Sequence, residues 1–387
     1  MTVAATVWMI DPAGKKAGVI PYTRWKAVAR RRDVGTWTVT APLTAETVLP
    51  AEAAGWRIMI QDATGFYGGP LWMEKAETVK IQYDEQRKPT ITFTGEDDMA
   101  WVRSSFGWPV PANALNAQSA AYDVRTGTAS TKILEYINLN IGPGARTERR
   151  LPGLVMAADP VAGSSVTGRA RFTPLLELIQ GMAVAGGVDF RMNADLSTTR
   201  TFEVFVPRDL RGAARFSLPL GNLQSITWTL NGPGPTVVIG GGRGEETARS
   251  FLSAPSAEAA TWGRREGFYD GGTTSTSDGN AELTQNVNTQ LAESASTRMV
   301  EVEPIDTPDW QFGRNGNWWV GDYVTVDVAG GITMDGHVES VEISEDRGQT
   351  PVRLIKPLIG DLGATKTKTQ FVALAKALAR LGRLETR

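Results

Sequence analysis

The sequence predicts a mainly β protein, α+β overall: two small β-barrels, an inserted α+β domain and a C-terminal helix. Three observations carry this. Between Trp319 and Ile343, apolar and polar residues alternate on both sides of a glycine turn and β-branched residues dominate, the pattern of two half-buried antiparallel strands. A similar stretch occurs much earlier. Gly55-Trp56-Arg57-Ile58-Met59-Ile60 answers Gly321-Asp322-Tyr323-Val324-Thr325-Val326, and Gly69-Pro70-Leu71-Trp72-Met73 answers Gly336-His337-Val338-Glu339-Ser340. Each then reaches a proline-led strand and a glycine-acid ending, Pro89 to Phe93 with Gly95-Glu96-Asp97 in the first, Pro351 to Ile355 with Gly360-Asp361 in the second. A repeated supersecondary unit leaves such a trace, so two copies of one barrel are expected. Finally, 41 glycines and 21 prolines in 387 residues favour short strands and turns over long helices.

Residues 1–103 read as the first barrel, with strands at Val3 to Ile10, Val19 to Tyr22, Trp37 to Ala41, the Gly55 hairpin and Thr90 to Thr94. Arg30-Arg31-Arg32 before Trp37 is expected to be a solvated or interface face, the usual fate of a basic cluster in a loop. Residues 104–215 form the inserted domain. A loop from Ser104 to Thr128, anchored by Trp108 and Tyr122, leads to a helix capped by Ser130, carrying Ile133, Leu134 and Ile137 and ended by Gly142. A second loop, Gly144 to Arg171, precedes a helix opened by Thr173-Pro174, with Leu175, Leu178, Ile179 and Met182 on one face and Gly186-Gly187 as its stop. A hairpin turning at Asn193-Ala194-Asp195 closes the domain.

Residues 216–360 read as the second barrel, with an insertion at 253–297. Leu223 to Leu230 alternates. Thr236 to Ile239 runs into Gly240-Gly241-Gly242-Arg243-Gly244, yet neither a dinucleotide nor a P-loop spacing is present and no apolar helix comes directly after. Ser253 to Asn280 reads as a long packed loop, and Asp278 as the cap of a helix bearing Leu283, Val287 and Leu291. Residues 361–387 are a polar linker and a short amphipathic helix. Its Phe371, Leu374, Leu378 and Leu381 fall on one three-four-spaced face, the candidate interface residues of the chain.

Composition bounds the function. A formal charge of -2 argues against a nucleic-acid binder. No cysteine means no disulfide, thiolate nucleophile or zinc-thiolate site. No apolar run of about 18 residues occurs, and Met1 to Asp11 lacks the features of a signal peptide. His337 is the only histidine, set mid-strand, and no G-x-S-x-G or H-E-x-x-H accompanies it, so a structural histidine is expected and no catalytic, cofactor or metal residue is assigned. The pair Asp97-Asp98 is compatible with a glycosidase but does not argue for one, because two acids brought together by folding leave no local signature. Twelve tryptophans could form a sugar-stacking surface, but Trp37, Trp56, Trp72 and Trp228 sit in strand patterns where a core or interface role is the commoner one.

Five motifs, Phe66-Tyr67-Gly68-Gly69-Pro70-Leu71-Trp72, Ile133 to Gly142 with Tyr136-Ile137-Asn138, Phe205-Val206-Pro207-Arg208-Asp209-Leu210, Trp262-Gly263-Arg264-Arg265-Glu266 and Gly321 to Val326, occur in this order. Together they resemble the Gp37-like minor tail proteins of siphophages of actinobacteria, over roughly residues 1–360, most specifically at Pro-Arg-Asp and Trp-Gly-Arg-Arg-Glu. That family is similar to baseplate hub proteins, whose tail-tube-like barrels surround the central channel. The resemblance implies a structural tail-tip protein at the distal end of the virion tail and not an enzyme. As a homotrimer it would join the six-fold tube, the distal tail ring and the tape measure protein to a three-fold central fibre or spike, with DNA passing through without specific binding and the host surface met only indirectly. The alternatives are a carbohydrate-binding receptor protein, resting on the tryptophans, and a tail-associated cell-wall hydrolase, which would need an exposed acid pair in a cleft. Because the chain ends after one short helix, no appended hydrolase domain is expected.

Overall fold

The computed structural model describes residues 5–48, 50, 55–71, 78–83, 88–213, 215–272, 280–305, 310–313, 316–329, 331–348 and 352–360. The candidate interface residues Phe371, Leu374, Leu378 and Leu381, together with Trp72 and Asp278, lie outside the described residues. The first strands are β1 (Thr6–Ile10), β2 (Lys16–Ile20), β3 (Arg24–Arg30), β4 (Thr36–Pro42), β5 (Arg57–Asp62), β6 (Gly65–Pro70), β7 (Val79–Tyr83) and β8 (Pro89–Glu96). After a short helix, Met99–Arg103, come β9 (Phe106–Gly107), β10 (Asp123–Thr128), β11 (Leu154–Met156), β12 (Ser165–Ala170), β13 (Thr173–Pro174), β14 (Asp189–Ala194) and β15 (Arg200–Phe205). The rest are β16 (Arg215–Phe216), β17 (Leu223–Asn231), β18 (Val237–Gly241), β19 (Phe251–Pro255), β20 (Glu266–Asp270), β21 (Thr297–Pro304), β22 (Tyr323–Ala329), β23 (Ile332–Asp346) and β24 (Val352–Gly360).

The chain divides into two compact units. One runs to Ile226 and resumes at Glu301 to Ile359; the other runs from Thr227 to Val300 and takes in Gly360. The boundaries therefore fall within β17 and β21.

In the first unit, β2-β1-β5-β6 make a four-stranded sheet, and a longer sheet has the order β17-β21-β24-β23-β3-β4-β8-β7, with β16 and β22 branching from β23. Alternation explains the faces of the long sheet. Trp25, Ala27, Trp37, Val39, Ile91 and Phe93 point inward and are buried. On the other face Thr38 meets Thr94 and Thr40 meets Thr92 across the β4–β8 ladder. β6 packs against β3, β4 and β8, with Tyr67 stacked on Trp25 at 6.2 Å.

The order of the long sheet repeats. The proline-led strands matched in the sequence, β8 and β24, hold the third place in two successive runs of four, β3-β4-β8-β7 and β17-β21-β24-β23. The runs join head to tail where Val341 of β23 pairs with Ala29 of β3.

The segment 104–215 is built around two helices, Ala129–Asn140 and Leu175–Gly186, whose Ile133, Tyr136, Ile137, Leu175 and Ile179 share a buried core with Phe190 and Phe202. Gly187 takes the left-handed C-cap, φ 68°, where a side chain would be strained. Several expectations are corrected. The loops 104–128 and 144–171 each contain two strands, β9 and β10 in the first and β11 and β12 in the second, and β10 and β12 pair with one another. Ser130 does not cap its helix; its hydroxyl donates to Asp159 instead. Thr173-Pro174 pairs with β9, so its helix begins at Leu175. The hairpin turn shifts beyond Ala194, which still pairs with Arg200.

In the second unit β18 lies between β19 and a parallel β20. The expected loop from Ser253 is thus largely strand and a helical turn, Ala259–Trp262, because β18 offers backbone partners on both sides. Helix Ala281–Glu293 packs Leu283 and Val287 on Val238. A Cβ on Gly240 would come within 2.4 Å of Val287, so this glycine lets the helix approach the sheet. That accounts for a glycine run that superficially resembles a phosphate loop.

Candidate assembly interface

Two features can act on something outside the chain: the free edges of the long sheet, and the charged junction that holds segment 104–215 to the strands. β7 stands at one end of the sheet and β17 at the other, with no further strand beyond either among the described residues. β7 exposes Ile81 (45%) and Tyr83 (68%), and β17 exposes Trp228 (41%) and Leu230 (41%). Each strand has one apolar face, Val79, Ile81 and Tyr83 on β7 and Ile226, Trp228 and Leu230 on β17, and one polar face. Lys80 sits opposite Thr92 on the polar face, Ser225 donates to Glu303, and Glu303 pairs with Lys356. Lys26 pairs with Glu342 on that face too, so its charges are largely matched. An edge strand with no further strand beside it among the described residues can take one.

The junction is built from residues remote in sequence. Arg31 donates through Nε to Asp189 at 2.7 Å and through Nη1 to Glu339 at 2.8 Å, and Arg32 approaches the second oxygen of Asp189 at 3.2 Å. Arg31, Asp189 and Glu339 are all buried, so of the two expectations for the Arg30-Arg31-Arg32 cluster, a solvated or an interface face, the solvated one fails at Arg31. A second knot binds β5 to the same segment, where Arg57 grips Asp98 with two bonds of 2.7 Å and Arg200 adds a third from β15. Burial alone would raise the Asp98 carboxyl, yet the two guanidinium groups hold it below the usual range. Its neighbour Asp97 is not clamped in this way. Burial pushes Asp97 up to about 7, opposed by the N–H groups of Gly35 and Met99 at 2.9 and 3.0 Å. Glu339 is likewise raised by burial to about 7, against the pull of Arg31. A cavity of about 120 Å³ is lined by Arg31, Arg32, Asp97, Asp189 and Trp319.

His337 pairs in the β22–β23 ladder, its Nδ1 is 2.9 Å from the Gly321 carbonyl, and burial next to Arg31 lowers its pKa. Asp98 is buried and clamped by Arg57 and Arg200, and Asp97 is half-buried, so the two do not form the exposed pair a glycosidase would need. Among the described residues no cluster of His, Cys, Asp or Glu is arranged to hold a metal, and no helix is long and apolar enough to cross a membrane. The tryptophans divide: Trp25, Trp37, Trp310 and Trp318 are buried, whereas Trp228 and Trp262 are more than two-fifths exposed. For Trp228 the exposure sets aside a place in the chain's own core and leaves the interface role, because an edge strand alternates whether or not its apolar face is covered.

The family described as Siphovirus ReqiPepy6 Gp37-like protein matches residues 6–361. The chain belongs to that family. No curated protein matches it. Among solved structures, this family member is similar to the 43 kDa tail protein of prophage MuSo2 from Shewanella oneidensis, with 14% identity, TM-score 0.57 and coverage of 93% of this chain and 99% of that one. It also resembles prophage tail protein gp18 from Listeria monocytogenes EGD-e, with 12% identity, TM-score 0.50 and coverage of 97% and 99%. A tail protein from Neisseria meningitidis MC58 shows 10% identity, TM-score 0.51 and coverage of 94% and 98%. At these identities the likeness is one of fold: the Gp37-like chain has the fold of phage tail proteins over nearly its whole length.

Proposed function

We propose that the chain is a structural tail-tip protein, a baseplate hub at the distal end of the virion tail, working as a homotrimeric ring with the DNA channel at its centre. The observation that carries this is the head-to-tail order of the long sheet. Two runs of four strands within one chain join through β23 and β3, and the same join is left open at the ends, where β17 lacks, among the described residues, the partner that β23 gives to β3. β7 of one copy meeting β17 of the next repeats that join between chains. Three chains then supply six runs, matching a six-fold tube above, while the remainder of each chain stays three-fold toward a fibre or spike. Each run, with its hairpin, serves as one tail-tube-like barrel. The polar face of the sheet, rich in threonine and with paired charges, faces inward, where DNA slides past without being held.

The test exploits the absence of cysteine. A chain carrying Gln82→Cys and Ser225→Cys, one on each free edge, is oxidised under dilute conditions. Disulfide-linked trimers are expected, with each single variant remaining uncrosslinked. A monomer that fails to crosslink, or a closed hexamer, overturns the ring.

A further inference from the structure

Segment 104–215 carries a surface that neither the ring nor the junction uses. Arg169 lies with its guanidinium 3.7 Å from the centre of the Tyr122 ring, and Arg171 stands 5.5 Å from the same ring. The next residue, Phe172, meets Trp108 edge-on at 6.2 Å, and Arg149 covers Trp108 at 4.1 Å. Arg171 of the first stack and Phe172 of the second are consecutive, so the two stacks meet at this point of the chain. Phe172 (43%) and the neighbouring Phe106 (49%) leave much of their rings exposed.

Two further facts set this face apart. Its cations lack anions: among the described residues Arg169 and Arg171 make no ion pair, and Arg149 donates only to neutral oxygens, Asn140 Oδ1 at 3.0 Å and the Phe106 carbonyl at 2.6 Å. Burial lowers Arg149 to about 10, with only Glu148 opposing, and Glu148 is itself engaged by Arg146. Elsewhere in the unit Arg31, Arg57, Arg200 and Arg208 each grip a carboxylate. In addition, Phe172 is held at φ 54°, a left-handed conformation that a bulky residue rarely adopts, with its ring turned toward solvent.

We propose that this face is a docking surface for an acidic segment of another virion protein, one that presents carboxylates beside apolar side chains. Guanidinium groups pre-oriented on aromatic rings offer their forked N–H edges to carboxylates. Aromatic and arginine side chains together are what the centres of protein interfaces are made of. The exposed phenylalanines argue against inorganic polyphosphate, which would leave them wet, and the chain's formal charge of -2 argues against nucleic acid, whose bases could otherwise stack on them. No residue of this face lies on β7 or β17, so the inference and the ring can fail separately.

The experiment uses the full chain and a fluorescent peptide of alternating Glu and Leu, read by anisotropy, with its Gln-for-Glu counterpart and inorganic polyphosphate as comparisons. The acidic peptide is expected to bind. R169Q/R171Q should weaken it about tenfold, the scale of losing charge-assisted bonds, and Phe172→Ala should weaken it several-fold. Crosslinking through β7 and β17 should be unaffected in both variants. Equal binding by the original chain and R169Q/R171Q, equal binding of the Gln peptide, or tighter binding of polyphosphate than of peptide overturns the proposal. So does a loss of self-association in R169Q/R171Q, which would make the occupant a second copy.

Discussion

The two glycine-led hairpins begin alike in sequence and are built into the sheet differently. β5 and β6 lie in the four-stranded sheet beside β1, and β7 lies in the long sheet. Their counterparts, β22 and the start of β23, are both joined to the long sheet. β23 is one strand of 15 residues whose first part pairs with β22 and whose second part pairs with β3. One continuous strand therefore does in the second copy what β6 and β7 do separately in the first. This leaves β7 at the free end of the sheet, while the second copy is bonded to the first. Similar local sequences specify similar hairpins, but which edges remain open depends on where the chain goes after the second strand of each hairpin.

The anchors differ too. Arg57, two residues after Gly55, is buried in its pair with Asp98, whereas Asp322, next to Gly321, is held by Arg208, whose side chain is 46% exposed. Removing one partner of a buried pair leaves an uncompensated charge, so Arg57→Ala should cost about 3–5 kcal/mol. Arg208→Ala should cost about 1–2 kcal/mol, because solvent already screens that pair and Asp322 keeps the Trp319 N–H. Denaturant titration of both variants measures the asymmetry, and equal costs would mean that the two anchors are equivalent.

Continuity of β23 is the next target. Val341→Pro removes a backbone donor opposite Ala29 and should cost roughly 3 kcal/mol. Hydrogen exchange should show β3 and the second half of β23 losing protection together while the β4–β8 ladder keeps it.

Smaller effects come from the carboxylates Asp97, near the first copy's ending, and Glu339, in the second copy's long strand. Both have folded-state values raised to about 7. The folded state then binds more protons than the unfolded chain between the ordinary carboxylate range and about 7, so stability falls as pH rises across that window. Thermal melts should show a negative slope there, flatter in Asp97→Asn. A variant with an unchanged slope would assign it to Glu339.

The smallest expected effect on stability is from deleting residues 365–387. A helix of this length is marginal alone, so Phe371, Leu374, Leu378 and Leu381 are expected to order it only against a neighbour. The truncated chain should melt as before, with tail assembly impaired. A lost cooperative melt would place the segment in the core.

Alternation and helical spacing were enough to locate the Gly321 hairpin, the strands around Trp37 and Thr90, and the helices Ala129–Asn140, Leu175–Gly186 and Ala281–Glu293, because each buries a face whose period is written into consecutive residues. The repeat was legible for the same reason. β10, β19 and β20 were not, since their hold is pairing with another strand and their side chains are mostly exposed or half-buried, while β12 buries only Val166, Gly168 and Ala170, too small a set to stand out as an apolar face. Nor could the fate of Arg31 be read locally, as its partners stand 158 and 308 residues away. The sequence by itself determined the class of the fold, the repeated strand pattern and the family resemblance, all of which live in short-range pattern. Only the tertiary structure decided the head-to-tail order, the two open edges and the arginines left without anions, because burial and pairing depend on which distant residues arrive beside each other.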